Sequence, residues 1–328
     1  MTFPLYRRPG GVIFLDDDPD YLQMLAEVMP AGWYVRLLMS PLSCIEVLVA
    51  ETALQEADAW QQQDIIKRWR DGAPLIAGIL NYWQQGASAR FGLTEVCVVD
   101  YAMPAMSGLQ VVGELQAWPG ARVLLTGRVE EQLAISAFNR GLIDKFVPKQ
   151  VSDLRLRLTE AIGSLLERPR ERYQQIWRAT LSREQHAWLG DATLAAQLRA
   201  LAEREGWIEH VVIGAPFGVL GLDRDGCASW LQLESEASLS ELAEMARSAG
   251  WDSQAVQGIR AGLALVDVEV GLALGDVHQP QLQAAFRLGS SGNALYAALF
   301  RLASWNGVER ADCHTEFLAA RDDRALPR

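Results

Sequence analysis

At 328 residues, half of them apolar and 22% charged, the chain is too long for a single core and too apolar for disorder, so two packed domains are expected. The formal net charge of −11 runs the whole length: residues 1–150 carry 12 basic and 17 acidic side chains and the remainder 18 and 24, which disfavours non-specific nucleic-acid binding. The N-terminus lacks the apolar stretch of a signal peptide and no apolar run approaches about 18 residues, so a cytoplasmic location without a membrane span is expected.

VIFLD (12–16) is a short β-rich run that ends in acid. Asp18 before Pro19 predicts an N-cap with proline at the first helical position, where its missing N–H costs nothing, followed by the amphipathic DYLQMLAEVM. WYVRLLM (33–39) reads as a second strand, and SPLSCIEVLVAETALQEA begins a helix capped by Ser40 or Ser43. From 50 to 92 apolar residues recur three and four apart, which predicts helix, with Trp60, Trp69 and Trp83 read first as core and second as a partner face. VCVVD (96–100), the helix QVVGELQAW, RVLLT (122–126), the helix EEQLAISAFNRG and DKFVPK (144–149) follow.

Apolar strands alternating with amphipathic helices predict a doubly wound parallel α/β sheet of five strands, whose ligands sit at the carboxyl ends of the strands. Asp16, Asp17, Asp100, Thr126 and Lys149 all fall at such ends.

Residues 151–188 are helical on either side of Pro169, with a boundary near 168, and the five arginines between 168 and 183 read as a solvated connecting helix rather than a grip on nucleic acid. Beyond lies an α+β pattern. The helix ATLAAQLRALAEREG closes at Gly206, FGVLGL and CASWLQL are joined by a hairpin turn at 223–226, and ASLSELAEMARSAG is a capped helix. After 252, VDVEVGLAL alternates like a strand between helical flanks, NALYAALFRLASW (293–305) reads as a helix, and DDRALPR as a frayed end. Cys44, Cys97, Cys227 and Cys313 lack C-x-x-C spacing, which predicts reduced thiols, and His186, His210, His278 and His314 share no metal-ligand spacing.

Three carboxylates at adjacent strand ends repel one another and raise their own pKa values unless a cation neutralises them. An oxygen-only site open to solvent suits Mg2+. A carboxylate held there can attack phosphorus and form an aspartyl phosphate, whose oxygens need the point charge of Lys149 and the hydroxyl of Thr126. Lys149 is one of three lysines in a chain rich in arginine, which makes its position at a strand end informative.

LDDDP (15–19), VVDYAMPAMSG (98–108), LLTG (124–127) and GLIDKFVPK (141–149) together resemble the receiver domain of two-component response regulators. The resemblance implies that Asp100 takes a phosphoryl group from a sensor histidine kinase. It also implies that Asp16, Asp17, Asp100 and the main-chain carbonyl of Ala102 hold Mg2+, that Thr126 and Lys149 contact the phosphate, and that Phe146 is the aromatic switch. The sequence departs from the family where Gln150 follows Lys149 in place of proline, where Pro148 precedes it, and in the long interval between Asp17 and Asp100. The 50–92 stretch, AFNRGLIDKF and FGVLGLDRDGCASWLQL are also similar to regulators paired with quorum-sensing kinases of the α-hydroxyketone type.

These readings give a receiver over 1–150 with a helical insertion at about 50–92, a helical linker over 151–188 and an α+β output or interaction domain over 189–328. The leading expectation for the output is protein interaction or homodimerisation, with a nucleic-acid effector second and an enzyme acting on a small signal third. No separate catalytic set is recognised. A receiver that serves only as a docking scaffold is the remaining alternative.

Overall fold

The runs GVIFL, VRLL, TEVCVVD, ARVLLT and KFVP are mostly apolar, with most of their polar side chains at or next to the ends, and strands of that kind need cover on both faces. The computed structural model describes residues 2–84, 86–127, 131–274, 278–290, 294–302 and 313–320. Its strands, in chain order, are β1 (Tyr6–Arg7), β2 (Gly11–Leu15), β3 (Val35–Leu38), β4 (Thr94–Asp100), β5 (Ala121–Thr126), β6 (Lys145–Pro148), β7 (Trp207–Gly214), β8 (Phe217–Asp223), β9 (Ala228–Glu234), β10 (Ala264–Val266), β11 (Leu282–Ala284), β12 (Phe286–Leu288) and β13 (Leu295–Leu302). Contacts divide the chain into two units, one of residues 9–58, 87–168 and 316–328, the other of 1–8, 59–86 and 169–315.

The first unit is the predicted doubly wound sheet. Its five strands run parallel in the order β3-β2-β4-β5-β6, in a register that aligns Phe14 with Val98, Val98 with Val123, and Leu125 with Val147. Side chains alternate between faces, as the strand period of two requires. Val12, Phe14, Val98 and Leu125 pack with Leu22, Leu25, Leu158 and Ile162 on one side. Ile13, Leu15, Val99 and Leu124 pack with Leu48, Val111, Val112 and Ala134 on the other. A buried polar network ties the Pro41–Arg70 helix to the start of β4: Glu51 accepts from the Thr94 amide at 2.8 Å and pairs with Arg36, while the Gln55 amide donates to the Thr94 carbonyl.

The second unit is built on a six-stranded sheet in the order β1-β7-β8-β9-β13-β12, beside the antiparallel pair β10 and β11. The Asp-Arg-Asp-Gly turn joins β8 to β9 as expected. The Asp223 carboxylate accepts from the amides of Asp225 and Cys227, and Gly226 supplies the positive φ of 82°. Buried tryptophans anchor the core, and Trp177 donates its indole N–H to Gln62 at 2.8 Å.

The chain departs from the sequence expectations in three places. The divide at 168 lies where the arginines begin, but the units do not follow 1–150, 151–188 and 189–328. Tyr6 and Arg7 pair antiparallel with Val211 and His210, and Ile76, Ile79, Leu80 and Trp83 join the same core as Trp177, so the 50–92 stretch is not an appendage of the receiver alone. Amphipathic spacing shows that a helix has a buried face without saying which core buries it. The Leu154–Leu166 helix of the supposed linker covers the parallel sheet through Leu158, Ala161 and Ile162.

The second departure is in LYAALFRL, which forms β13, paired with both β9 and β12, rather than the predicted helix; residues 293 and 303–305 of that prediction lie outside the described residues. A run of eight mostly apolar residues has no period that separates a buried strand from a buried helix, and here the sheet decides. Third, in VDVEVGLAL the residues Val268–Leu274 are helical, after the short β10. The tail DDRALPR lies outside the described residues, but just before it Phe317 packs edge-on against Tyr34 and Phe91, with centroids at 5.1 and 5.8 Å.

Because Leu158 is wholly buried against the parallel sheet, Leu158→Ala is expected to destabilise that unit by about 3 kcal/mol. Urea unfolding followed by circular dichroism measures the loss. A change below about 1 kcal/mol would return this helix to the role of a free connector.

Candidate functional site

The site is assembled at the carboxyl ends of β2, β4, β5 and β6. β2 delivers Asp16, 1% exposed, whose amide donates to the Leu38 carbonyl and whose Oδ1 accepts from the Asp18 amide at 3.0 Å. Asp17 is exposed beside it. Asp18 caps the Pro19–Val28 helix as predicted, accepting from the amides of Asp20 and Tyr21 at 3.0 and 3.1 Å. β4 ends on Asp100, 4% exposed.

The loop after Asp100 turns back at once. Gly108 donates its amide to the Tyr101 carbonyl at 2.9 Å, and a Cβ at Gly108 would lie 2.3 Å from the Asp100 carbonyl oxygen, so only glycine closes this loop against the strand end. Ser107 caps the following helix with a reciprocal bond to Gln110. Ala102 lies in the turn, two residues past Asp100 and exposed.

Carboxylate oxygens of Asp16, Asp17 and Asp100 all lie within 4.8 Å of one another, the one grouping of His, Cys, Asp or Glu among the described residues fit to hold a metal. Lys149, leaving β6, places its Nζ 2.7 Å from Asp16 Oδ2 and 2.9 Å from Asp100 Oδ1. Its amide donates to the Thr126 carbonyl at 2.8 Å, so the lysine is fixed to β5 even though Pro148 before it has no N–H to give. The Thr126 hydroxyl is fully buried and has no hydrogen-bond partner. Phe146 lies half-buried on β6, opposite Leu124 in the register and against the layer containing Ile13 and Leu15. Gly127 follows Thr126 and puts no side chain over the site.

The electrostatics follow from crowding. Burial raises the Asp100 pKa and the Asp16 charge adds to it, so the upward shift outlasts the opposing bond from Lys149. Burial works against the Lys149 ammonium, yet its bonds to Asp16 and Asp100 hold its pKa above the ordinary lysine range.

One residue of the site was not found by sequence reasoning. The ring of Tyr21 lies 4.4 Å from the Lys149 Nζ, in cation–π range, with its hydroxyl buried and unpartnered. Burial, with the charges of Asp16 and Asp100, pushes its pKa to about 12 against the pull of Lys149. Its place in the first turn of the helix capped by Asp18 is visible in the sequence, but its contact with a lysine 128 positions later is not.

The donor set therefore fits a hard divalent cation, and the orphaned Thr126 hydroxyl beside the lysine fits an anion with oxygens to spare. No described helix is long and apolar enough to cross a membrane.

No family model and no curated protein matches the chain. Among solved structures it is similar to the Legionella pneumophila response regulator LqsR, at 23% identity over 100% of both chains with a TM-score of 0.69. It also aligns with the signal receiver domain of an HD domain-containing protein from Pseudomonas fluorescens Pf-5, at 17% identity over 53% of this chain and 95% of that one, TM-score 0.32. A receiver domain protein from Clostridium thermocellum aligns at 18% identity over 48% and 94%, TM-score 0.28. The LqsR match bears out, for the fold, the sequence resemblance to response regulators, and it extends over both units.

The raised pKa of Asp100 means that its charged form is on balance disfavoured in the folded state. The stability held by the neutral form is complete below the ordinary carboxyl range and is lost as pH rises through the raised value. Asp100→Asn is therefore expected to stabilise the metal-free protein at pH 7, and to lose that advantage as pH falls into the ordinary carboxyl range. Thermal unfolding of both proteins across pH checks it, and a variant less stable at pH 7 would show that the bond to Lys149 outweighs burial.

Proposed function

We propose that the chain is a phosphorylation-dependent response regulator whose Asp100 accepts a phosphoryl group from a sensor histidine kinase. The observation that supports this most directly is the placement of Lys149 between Asp16 and Asp100 with the Thr126 hydroxyl unpartnered. A carboxylate oxygen of Asp100 attacks the phosphorus of a phosphohistidine; the P–N bond breaks, a P–O bond forms, and the imidazole leaves with the bonding pair and takes up a proton. Lys149 gives up one of its two carboxylates to follow the charge onto the phosphoryl oxygens, while the Thr126 hydroxyl donates to a second oxygen. Gly127 leaves the approach open for the donor.

Asp16, Asp17 and Asp100, with the Ala102 carbonyl, are the residues that would hold Mg2+. When bound, the ion supplies positive charge to carboxylates that otherwise repel one another and to the phosphoryl oxygens. Phosphorylation adds roughly −1.5 to −2 charge at Asp100, and the inward movement of Thr126 with Phe146 carries the switch to an output formed by the antiparallel unit. The resemblance to regulators of α-hydroxyketone systems points to a quorum-sensing kinase as donor. Protein interaction or homodimerisation is the output reading that the acidic surface supports best.

Incubation of the full chain with acetyl phosphate and Mg2+ is expected to add one phosphoryl group by intact mass. The adduct should be removed by hydroxylamine and absent from Asp100→Asn, and Lys149→Ala or Thr126→Ala should slow its formation by about 10- to 1000-fold. A wild-type protein that gains no phosphate under these conditions would be a docking scaffold with a receiver fold.

A further inference from the structure

Within the antiparallel unit, the later turns of the Pro41–Arg70 helix and the Glu171–Arg178 helix border an open groove of about 750 Å³. One wall is a single helix face, on which Trp60, Gln63, Lys67 and Arg70 recur three and four residues apart. Arg172, Gln175, Ile176 and Ala179 line the other wall.

Three features of this groove point to a ligand. Trp60 is 61% exposed, an unusual placement for the largest apolar side chain, and it leaves an aromatic face open to stacking. Lys67 and Arg70 have no ion pair among the described residues, and with Arg172 they concentrate positive charge on a chain whose net charge is −11. Two amides, Gln63 and Gln175, offer donors and acceptors. The side-chain N–H of Gln175 is given to Glu171 at 3.0 Å, which leaves its carbonyl oxygen as the group on offer.

The groove also holds two acids. Asp64 is matched by Arg68 at 2.6 Å, whereas Asp71 stands at the end of the positive row. A row of cations interrupted by carboxylates is a poor track for a long polyanion and suits a short one. Trp60 and Lys67 are seven residues apart on the helix, about 10 Å along its axis, a separation comparable to that between the base of a nucleotide and its outer phosphates.

We propose that this groove binds a nucleoside polyphosphate, with the base stacked on Trp60, its edge read by Gln63 and Gln175, and its phosphates held by Lys67, Arg70 and Arg172. The reading is independent of phosphoryl transfer at Asp100, because no residue of that site takes part.

The test is titration of the full chain into fluorescent N-methylanthraniloyl derivatives of ATP and GTP, followed by anisotropy with and without Mg2+. Saturable binding in the micromolar range is expected for at least one of them. Trp60→Leu and the double change Lys67→Glu with Arg70→Glu should each weaken it by about tenfold or more, with unchanged far-UV circular dichroism. Absence of saturation below about 1 mM, or binding untouched by both variants, would overturn the proposal. Displacement by inorganic tripolyphosphate as tightly as by the nucleotide would remove the stacking role of Trp60. Tighter capture of a single-stranded oligoribonucleotide than of the nucleotide would remove the small-ligand assignment.

Discussion

The parallel-sheet unit is organised around an ammonium shared by two carboxylates. Lys149 holds Asp16 and Asp100 together at 2.7 and 2.9 Å in a setting where each is almost fully buried, and without it the ends of β2 and β4 would confront each other as like charges. A structure that depends on such a contact is poised rather than settled. The lysine satisfies both acids only while neither has anything better, and a cation at Asp16 or a phosphoryl group at Asp100 would compete for one of its bonds. The buried hydroxyl of Thr126, with no partner of its own, is the counterpart of this arrangement on β5, a donor kept in reserve where the lysine leaves the sheet.

Local backbone chemistry makes that arrangement possible. Asp16 is oriented by the Asp18 amide, and Asp18 in turn caps the helix that brings Tyr21 under Lys149, so two acids of one turn do different jobs. Gly108 lets the loop after Asp100 close onto the strand carbonyl, which keeps the carboxylate at the sheet edge instead of carrying it away on a wider loop. The opening stretch of β4 is held just as firmly at its other end by Glu51 and Gln55. The strand is thus held at both of its ends, by the loop that Gly108 closes after Asp100 and by the side chains that meet Thr94.

What could be read in the sequence follows from how each feature is encoded. The parallel sheet was legible because strands buried on both faces are written as uninterrupted apolar runs, and the site because its residues fall where those runs stop: Asp16 after VIFL, Asp100 after VCVV, Thr126 after RVLL. Tyr21 was missed since nothing local distinguishes a tyrosine that meets a lysine from one on a helix surface. The allocation of elements to units was only partly legible. Tyr6 and Arg7 join a strand some 200 residues later, as the Tyr6↔Val211 register requires, and a two-residue strand leaves no pattern of its own. LYAALFRL has the alanines and leucines of a helix, and its pairing with β9 and β12 is a property of the sheet around it.

The same distinction explains why the two units differ in how much of their chemistry can be read. The acids, the hydroxyl and the ammonium at the end of the parallel sheet stand where apolar strands stop, so the sequence displays them. A groove between two helices more than 100 residues apart is encoded on each helix only as an ordinary polar face: Trp60, Gln63 and Lys67 on one, Arg172 and Gln175 on the other, neither of which signals a ligand alone. The arginines of 168–183 are a solvated face when taken by themselves. Arg172 acquires a different meaning only beside the exposed indole and the unpaired cations of the facing wall, where the positive charge belongs to a concave surface and field lines converge.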